Sequence, residues 1–249
     1  MLSIDERKKL SRLQHKKYRH IVNKFIVEGV RVLEEALKTN RIEKLYYSND
    51  LSSSKRKNQL INDTHKKNIP IKKIPDSELR EISNTISNQG ILGVVQIPPK
   101  RMPKFENNCI YLDEIRDPGN VGTIFRTADW FGVHEIVLSK SSVDPYNPKV
   151  VRSGMGAHFR INIHTDYDLK KIKSSGYVIL AADTKGNSIQ TFTPTNKIKW
   201  CLIMGSEGDG ISKKNRCLVD NFIAIPGSEN SDSLNVGVAT GILLNHLTQ

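Results

Sequence analysis

The chain has 249 residues, with 38 Lys and Arg against 26 Asp and Glu and a formal net charge of +12. Hydrophobic residues make up 37% and charged residues 26% of it, a globular balance that excludes disordered and fibrous classes and suits one large or two modest domains. No apolar run reaches the roughly 20 residues of a bilayer span, the start MLSIDERKKL lacks a secretory leader's apolar stretch, and Cys109, Cys201 and Cys217 are too scattered for a disulfide framework or a Cys-based zinc site.

A cytoplasmic protein without membrane or metal is therefore expected, and its basic excess points to nucleic acid, an anionic membrane or acidic partners. The charge is uneven. Residues 1–24 hold eight Lys and Arg against Asp5 and Glu6, half the net charge in about a tenth of the chain. Arg7, Lys8, Lys9, Arg12, Lys16, Lys17 and Arg19 are the candidate polyanion contacts, and a solvated basic helix face is the plainer reading. Val22, Ile26, Val30, Leu33 and Leu37 then recur at helical spacing. A strand is expected at 44–47, a polar stretch at 48–58, a strand at 69–74, a helix capped by Asp76 or Ser77, and a strand at 91–97. Pro98, Pro99 and Pro103, with Lys100 and Arg101 between them, read as a linker. The expected division is an α/β module at 1–98, a linker at 99–107 and a second domain at 108–249.

The second domain alternates. Strands are expected at 109–112, 135–138, 177–182, 199–204 and 221–225, and helices at 121–131, 169–174 and 234–247. Such βα units argue for a mostly parallel sheet covered by helices. Ligands of these sheets bind beyond the carboxyl ends of the strands, so the loops there carry the chemistry.

Three of those loops are rich in Gly, Asn and Ser. DEIRDPGNVGTIFRTADWFGV follows the first strand, with Asn120 as a candidate helix cap and Arg126 six residues on, about 9 Å along the axis at ~1.5 Å per residue. A capped helix with a surface Arg is the bland alternative. MGSEGDG spans Met204 to Gly210 and is neither GxGxxG nor a Walker loop, leaving a close-approach loop or a tight surface turn. IPGSENSDSLN leads into a last helix near Ser233, a candidate N-cap. Leu234, Val238, Ile242 and Asn245 define one face of it and Val236, Ala239, Leu243 and Leu247 another, so it must be buried or form an interface.

Together, in this order and spacing, the loops resemble the SpoU (TrmH) family of RNA ribose 2′-O-methyltransferases, within the SPOUT class. The resemblance rests on Asn120, Gly122, Arg126, Ala128, Phe131 and Gly132, on Gly205, Glu207 and Gly210, and on Ile225, Pro226, Ser233, Leu234 and Asn235. It covers about residues 108–249. FIVEGVRVLEEAL and SNQGILGVV look like the small substrate-binding domain of many members. Gly227 departs from the Met usual after Ile-Pro.

The resemblance implies an α/β trefoil-knot methyltransferase domain behind a small N-terminal α/β substrate-binding domain, working as a homodimer. It implies S-adenosylmethionine as donor, with Gly205, Ile225 and Leu234, beside Met204 and Gly210, as contacts. It implies Arg126 as the catalytic residue, acting beside the ribose hydroxyl as an electrostatic activator, because a guanidinium stays protonated at ordinary pH. Asn120, Glu207, Ser233 and Asn235 would hold Arg126 or the ribose. The basic N-terminal residues become RNA contacts, with 23S rRNA favoured over tRNA. A catalytically inert RNA-binding relative is the competing class, and a Rossmann nucleotide enzyme is opposed by the absent GxGxxG.

Overall fold

The computed structural model describes residues 1–48, 54–83, 89–100, 103–104, 106–193, 198–228 and 233–249. They form two compact units, Met1–Pro99 with Tyr146–Phe159, and Lys100–Pro145 with Arg160–Gln249. The segment Tyr146–Phe159 thus folds with the first unit although the sequence places it inside the second. Residues 49–53 of the expected polar stretch, 101, 102 and 105 of the expected linker, and 229–232 of the last loop lie outside the described residues.

The first unit runs α1 (Ile4–Arg12), α2 (Lys16–Val22), β1 (Lys24–Glu28), α3 (Val30–Lys38), β2 (Ile42–Tyr47), α4 (Lys55–Lys66), β3 (Ile71–Lys73), α5 (Asp76–Ile82) and β4 (Ile91–Gln96). Its sheet order is β1-β4-β2-β3. The helical spacing of Val22 to Leu37 turns out to span three elements, the end of α2, β1 and α3. Phe25, Ile26 and Val27 are consecutive and buried, which a strand covered on both faces requires. Gly29, at φ 94°, then starts α3. Phe25 belongs to a core with α3, α4, Tyr146 and Val151. Ile26, pointing the other way, belongs to a core with Leu10, Leu79 and Ile82. Helices therefore cover both faces. Gly93 permits the closest approach, since a Cβ there would lie 2.5 Å from Leu33 Cδ2.

The second unit begins β5 (Cys109–Asp113), α6 (Pro118–Trp130) and β6 (Glu135–Leu138); α7 (Pro148–Ser153) lies in the segment that joins the first unit. It continues β7 (Asn162–Thr165), α8 (Leu169–Ser174), β8 (Val178–Ser188), β9 (Trp200–Gly205), α9 (Lys213–Arg216), β10 (Asn221–Ala224) and α10 (Val236–Leu247). The sheet order is β10-β8-β9-β5-β6-β7, and every pairing is parallel. Burial on both faces explains continuous apolar runs such as Cys109–Asp113, all buried. Cys109, Tyr111, Cys201 and Ile203 face α8 in one core. Burial pushes the Cys201 thiol well above its ordinary value, with Cys109 hydrogen-bonded beside it, so this pair is packing rather than chemistry.

Chain order reverses at β5: β6 follows on one side and β9 lies on the other. Asp113 at the end of β5 is in register with Gly205 at the end of β9. The loops after these two strands are therefore neighbours at the topological switch point, where open α/β sheets hold ligands.

Candidate active site at the strand ends

The cap of α6 is Asp117, not Asn120. The Asp117 side chain accepts from Asn120 N at 2.9 Å, and Pro118 takes the first helical position, where its missing N–H costs nothing. Asn120 is left with a free amide in the first turn. Likewise α10 is capped by Asn235 rather than Ser233. Asn235 Oδ1 accepts from Gly237 N at 2.9 Å and Val238 N at 3.4 Å.

These two amides meet. Asn235 Nδ2 donates to Asn120 Oδ1 at 2.9 Å, and Asn120 Nδ2 donates to Glu207 Oε1. One residue from each of the three loops thus joins a single chain of hydrogen bonds. The packing of α10 on α6 makes the meeting possible. A Cβ on Gly237 would lie 2.9 Å from Thr123 Cγ2, and one on Gly241 3.6 Å from Thr127 Cγ2, so glycines let the helices approach.

Glu207 is held by a loop closed on itself. Ser206 N donates to Gly210 O, and Gly210 N donates to Ser206 O, both at 3.0 Å. Gly205 must lack a side chain, because a Cβ would meet Gly210 C at 2.4 Å. Asp113, which the sequence reading passed over, anchors the return of this loop. It is 1% exposed, and its carboxylate accepts from Ser212 N at 2.9 Å and Asn215 Nδ2 at 2.8 Å. A carboxylate closing an otherwise apolar strand was its only sequence signal.

Arg126 is exposed on α6 and has no hydrogen-bond or ion-pair partner among the described residues. Of the two expected roles for Asn120, Glu207 and Asn235, holding Arg126 or holding the ribose, the first is not made: Asn120 bonds the other two, and none of the three bonds Arg126. Ser233 is exposed and joins none of these bonds. Of the expected donor contacts, Met204 is 2% exposed and offers only backbone, Ile225 is half-buried just past β10, and Leu234 is 49% exposed. Gly205 is half-buried and Gly210 exposed.

The basic N-terminus divides. Arg19 is 1% exposed, and its Nη1 donates to Leu13 O and Gln14 O, both at 2.8 Å. It satisfies carbonyls left over at the end of α1, which removes it from the expected RNA contacts. Arg7 pairs with Glu78 at 3.2 Å and Glu81 at 2.9 Å. Lys8, Lys9, Arg12, Lys16 and Lys17 are exposed.

A parallel sheet with convergent polar loops at its switch point defines an α/β enzyme whose ligand sits over the strand ends. Residues 107–245 match the SpoU rRNA Methylase family, and the chain belongs to that family. Residues 6–93 match the MRM3-like substrate binding domain. The chain is 29% identical over 243 residues to the 23S rRNA (guanosine(2553)-2′-O)-methyltransferase RlmP of Bacillus subtilis, spanning 95% of this chain and 93% of that one. Among solved structures, a TrmH-family chain from Porphyromonas gingivalis superposes with TM-score 0.85 at 31% identity, over 99% of this chain and 98% of that one. An AdoMet-bound rRNA methyltransferase from Sinorhizobium meliloti superposes with TM-score 0.84 at 26% identity, over 99% and 96%.

Proposed function

We propose that the protein methylates a ribose 2′-hydroxyl of 23S rRNA. It is an S-adenosylmethionine-dependent RNA methyltransferase of the SpoU family. The observation that carries the site reading is the Glu207–Asn120–Asn235 chain, which unites three loops at the switch point and leaves Arg126, on the same helix as Asn120, without a partner among the described residues.

The donor fits these residues. It is a cation with an apolar and heteroaromatic body. Met204–Ile211 and Ile225–Asn235 contain no Lys or Arg, while Glu207 and Asp209 are exposed acids. Leu234 and Ile225 supply part-open apolar surface, and Gly210, with nothing within 4 Å of where a Cβ would stand, supplies open main chain. When bound, S-adenosylmethionine supplies an electrophilic methyl group. The remaining work falls to the chain's own side chains. Arg126 sets a permanent positive charge beside the 2′-oxygen and favours the charge that develops as its proton leaves to phosphate or water. The amide chain holds the loops in place, so that orientation is prepaid. Ser233 is available to hydrogen-bond the ribose.

The exposed stripe Leu234, Val238 and Ile242, at 49%, 52% and 41% exposure, supports the homodimer known for the family. Val238→Arg is expected to give a monomer by light scattering; an unchanged mass would overturn that pairing. The family's trefoil path for the C-terminal segment and a cytoplasmic location complete the reading.

Mapping 2′-O-methylation across total RNA of a deletion strain against its parent tests the substrate. One lost mark in 23S rRNA is expected. A lost tRNA mark would overturn the substrate, and no loss together with no heat on titration with S-adenosylmethionine would leave an inert RNA-binding relative.

A further inference from the structure

We propose that Arg160 keeps Arg126 available by occupying the carboxylate placed to neutralise it. Arg126 and Asp129 stand three apart on α6, the spacing at which helix side chains meet and opposite charges pair. Yet Asp129 is turned to Arg160, two residues before β7. Arg160 Nε donates to Oδ1 at 3.1 Å and Oδ2 at 2.9 Å, and Nη2 donates to Oδ2 at 2.7 Å. The planar fork engages both carboxylate oxygens, which a single pair on one helix face does not match. The Asp129 side chain is 14% exposed, and His134 Nε2 stands 3.9 Å from Oδ1 as its other basic neighbour.

The balance decides the state of Arg126. An exposed pair on a helix is weak, whereas a part-buried bidentate pair is stronger and more rigid. So Asp129 stays on Arg160, and the charge of Arg126 remains for the substrate. Released, Asp129 would share that charge and compete with the developing oxyanion. Arg160 is then a positioning residue, acting through Asp129 on Arg126. The inference rests on the catalytic reading of Arg126.

The test is single-turnover methyl transfer to an rRNA fragment. Arg160→Ala is expected to slow transfer at least about tenfold with little change in RNA affinity, as loss of one charge-stabilising contact does. Asp129→Asn in the same chain is expected to restore most of the rate. Both variants lack the ion pair, so a purely structural role would leave them equally slow. Equal rates in the two, or an Arg160→Ala as fast as the parent, would overturn the proposal. If Arg160→Ala does not fold, Arg160→Lys replaces it, with a smaller loss that Asp129→Asn again removes. Arg126→Ala separates the two readings. An active Arg126→Ala removes the catalytic reading beneath this one, whereas an inactive one beside an unrescued Arg160→Ala removes only the role of Arg160.

Discussion

Asn120 is informative because its amide has a direction. Glu207 Oε1 is the acceptor, so Asn120 presents Nδ2 to it. Its Oδ1 then takes Asn235 Nδ2, and Asn235 Oδ1 must cap α10. The carboxylate thus orients two amides and the start of a helix. If this is its role, Glu207→Gln keeps an acceptor and should retain methyl transfer within about tenfold, whereas Glu207→Ala frees the amide and should cost about 100-fold, the scale of a slight misplacement in a prearranged site. A Gln variant as slow as the Ala variant would show that the charge itself is needed. The sequence named all three residues, but not that they bond one another. The partners are 87 and 115 residues apart, and no local spacing encodes such a contact. Both helix caps were misplaced for a related reason: Asp117 and Asn235 compete with Asn120 and Ser233, and only the fold shows which one the helix uses.

Among the elements, α10 against α6 sets the site. Gly237→Ala gains about 1 kcal/mol of helix propensity, offset by a Cβ 2.9 Å from Thr123 Cγ2 and 3.2 Å from Asn235 Oδ1. Its melting temperature should change little while methyl transfer falls, because the clash pushes at the Asn235–Asn120 bond. Gly241→Ala meets only ordinary contact at 3.6 Å and should keep full activity with slightly raised stability. Equal activity of the two variants would contradict this. In the first unit, Glu6 ties α1 to β2 and β3 through Lys44 at 2.7 Å and Lys72 at 2.5 Å. Those hydrogen bonds lower its pKa from 4.5 to about 2. Its contribution is therefore present at neutral pH and is lost as pH falls from about 4.5 toward 2. Glu6→Gln should lower the urea midpoint at pH 7, with the gap to the parent narrowing at pH 3; a gap independent of pH would refute the linkage. Strands of the second unit were legible because buried parallel strands are unbroken apolar runs. The β7 strand was not, since Asn162–Thr165 is exposed or half-buried throughout.

At the scale of the whole molecule, the net charge of +12 resolves into particular side chains. Arg19 and Arg7 are committed to the fold, while Lys8, Lys9, Arg12, Lys16 and Lys17 face solvent. Replacing those five with Gln should weaken RNA binding and flatten its dependence on log salt by up to about 3.5 if all five meet phosphates, at ~0.7 per contact on single strands. Heat of S-adenosylmethionine binding should not change. Loss of both would assign the charges to folding instead. Composition located this basic segment well, yet it could not tell Arg19 from its neighbours, because burial of one guanidinium on two carbonyls leaves no mark on charge counts.

Phe25 packs on Tyr146 with ring centroids 5.0 Å apart and on Phe159 at 6.4 Å. The core of the first unit is thus completed by residues that leave the ribosome after β5, α6 and β6 of the second. During synthesis the N-terminal unit must wait, its Phe25 face uncovered, until residue 159 has emerged. A gene fragment ending at Pro99 would encode that waiting state permanently, which makes the two units poor candidates for shuffling by a single cut.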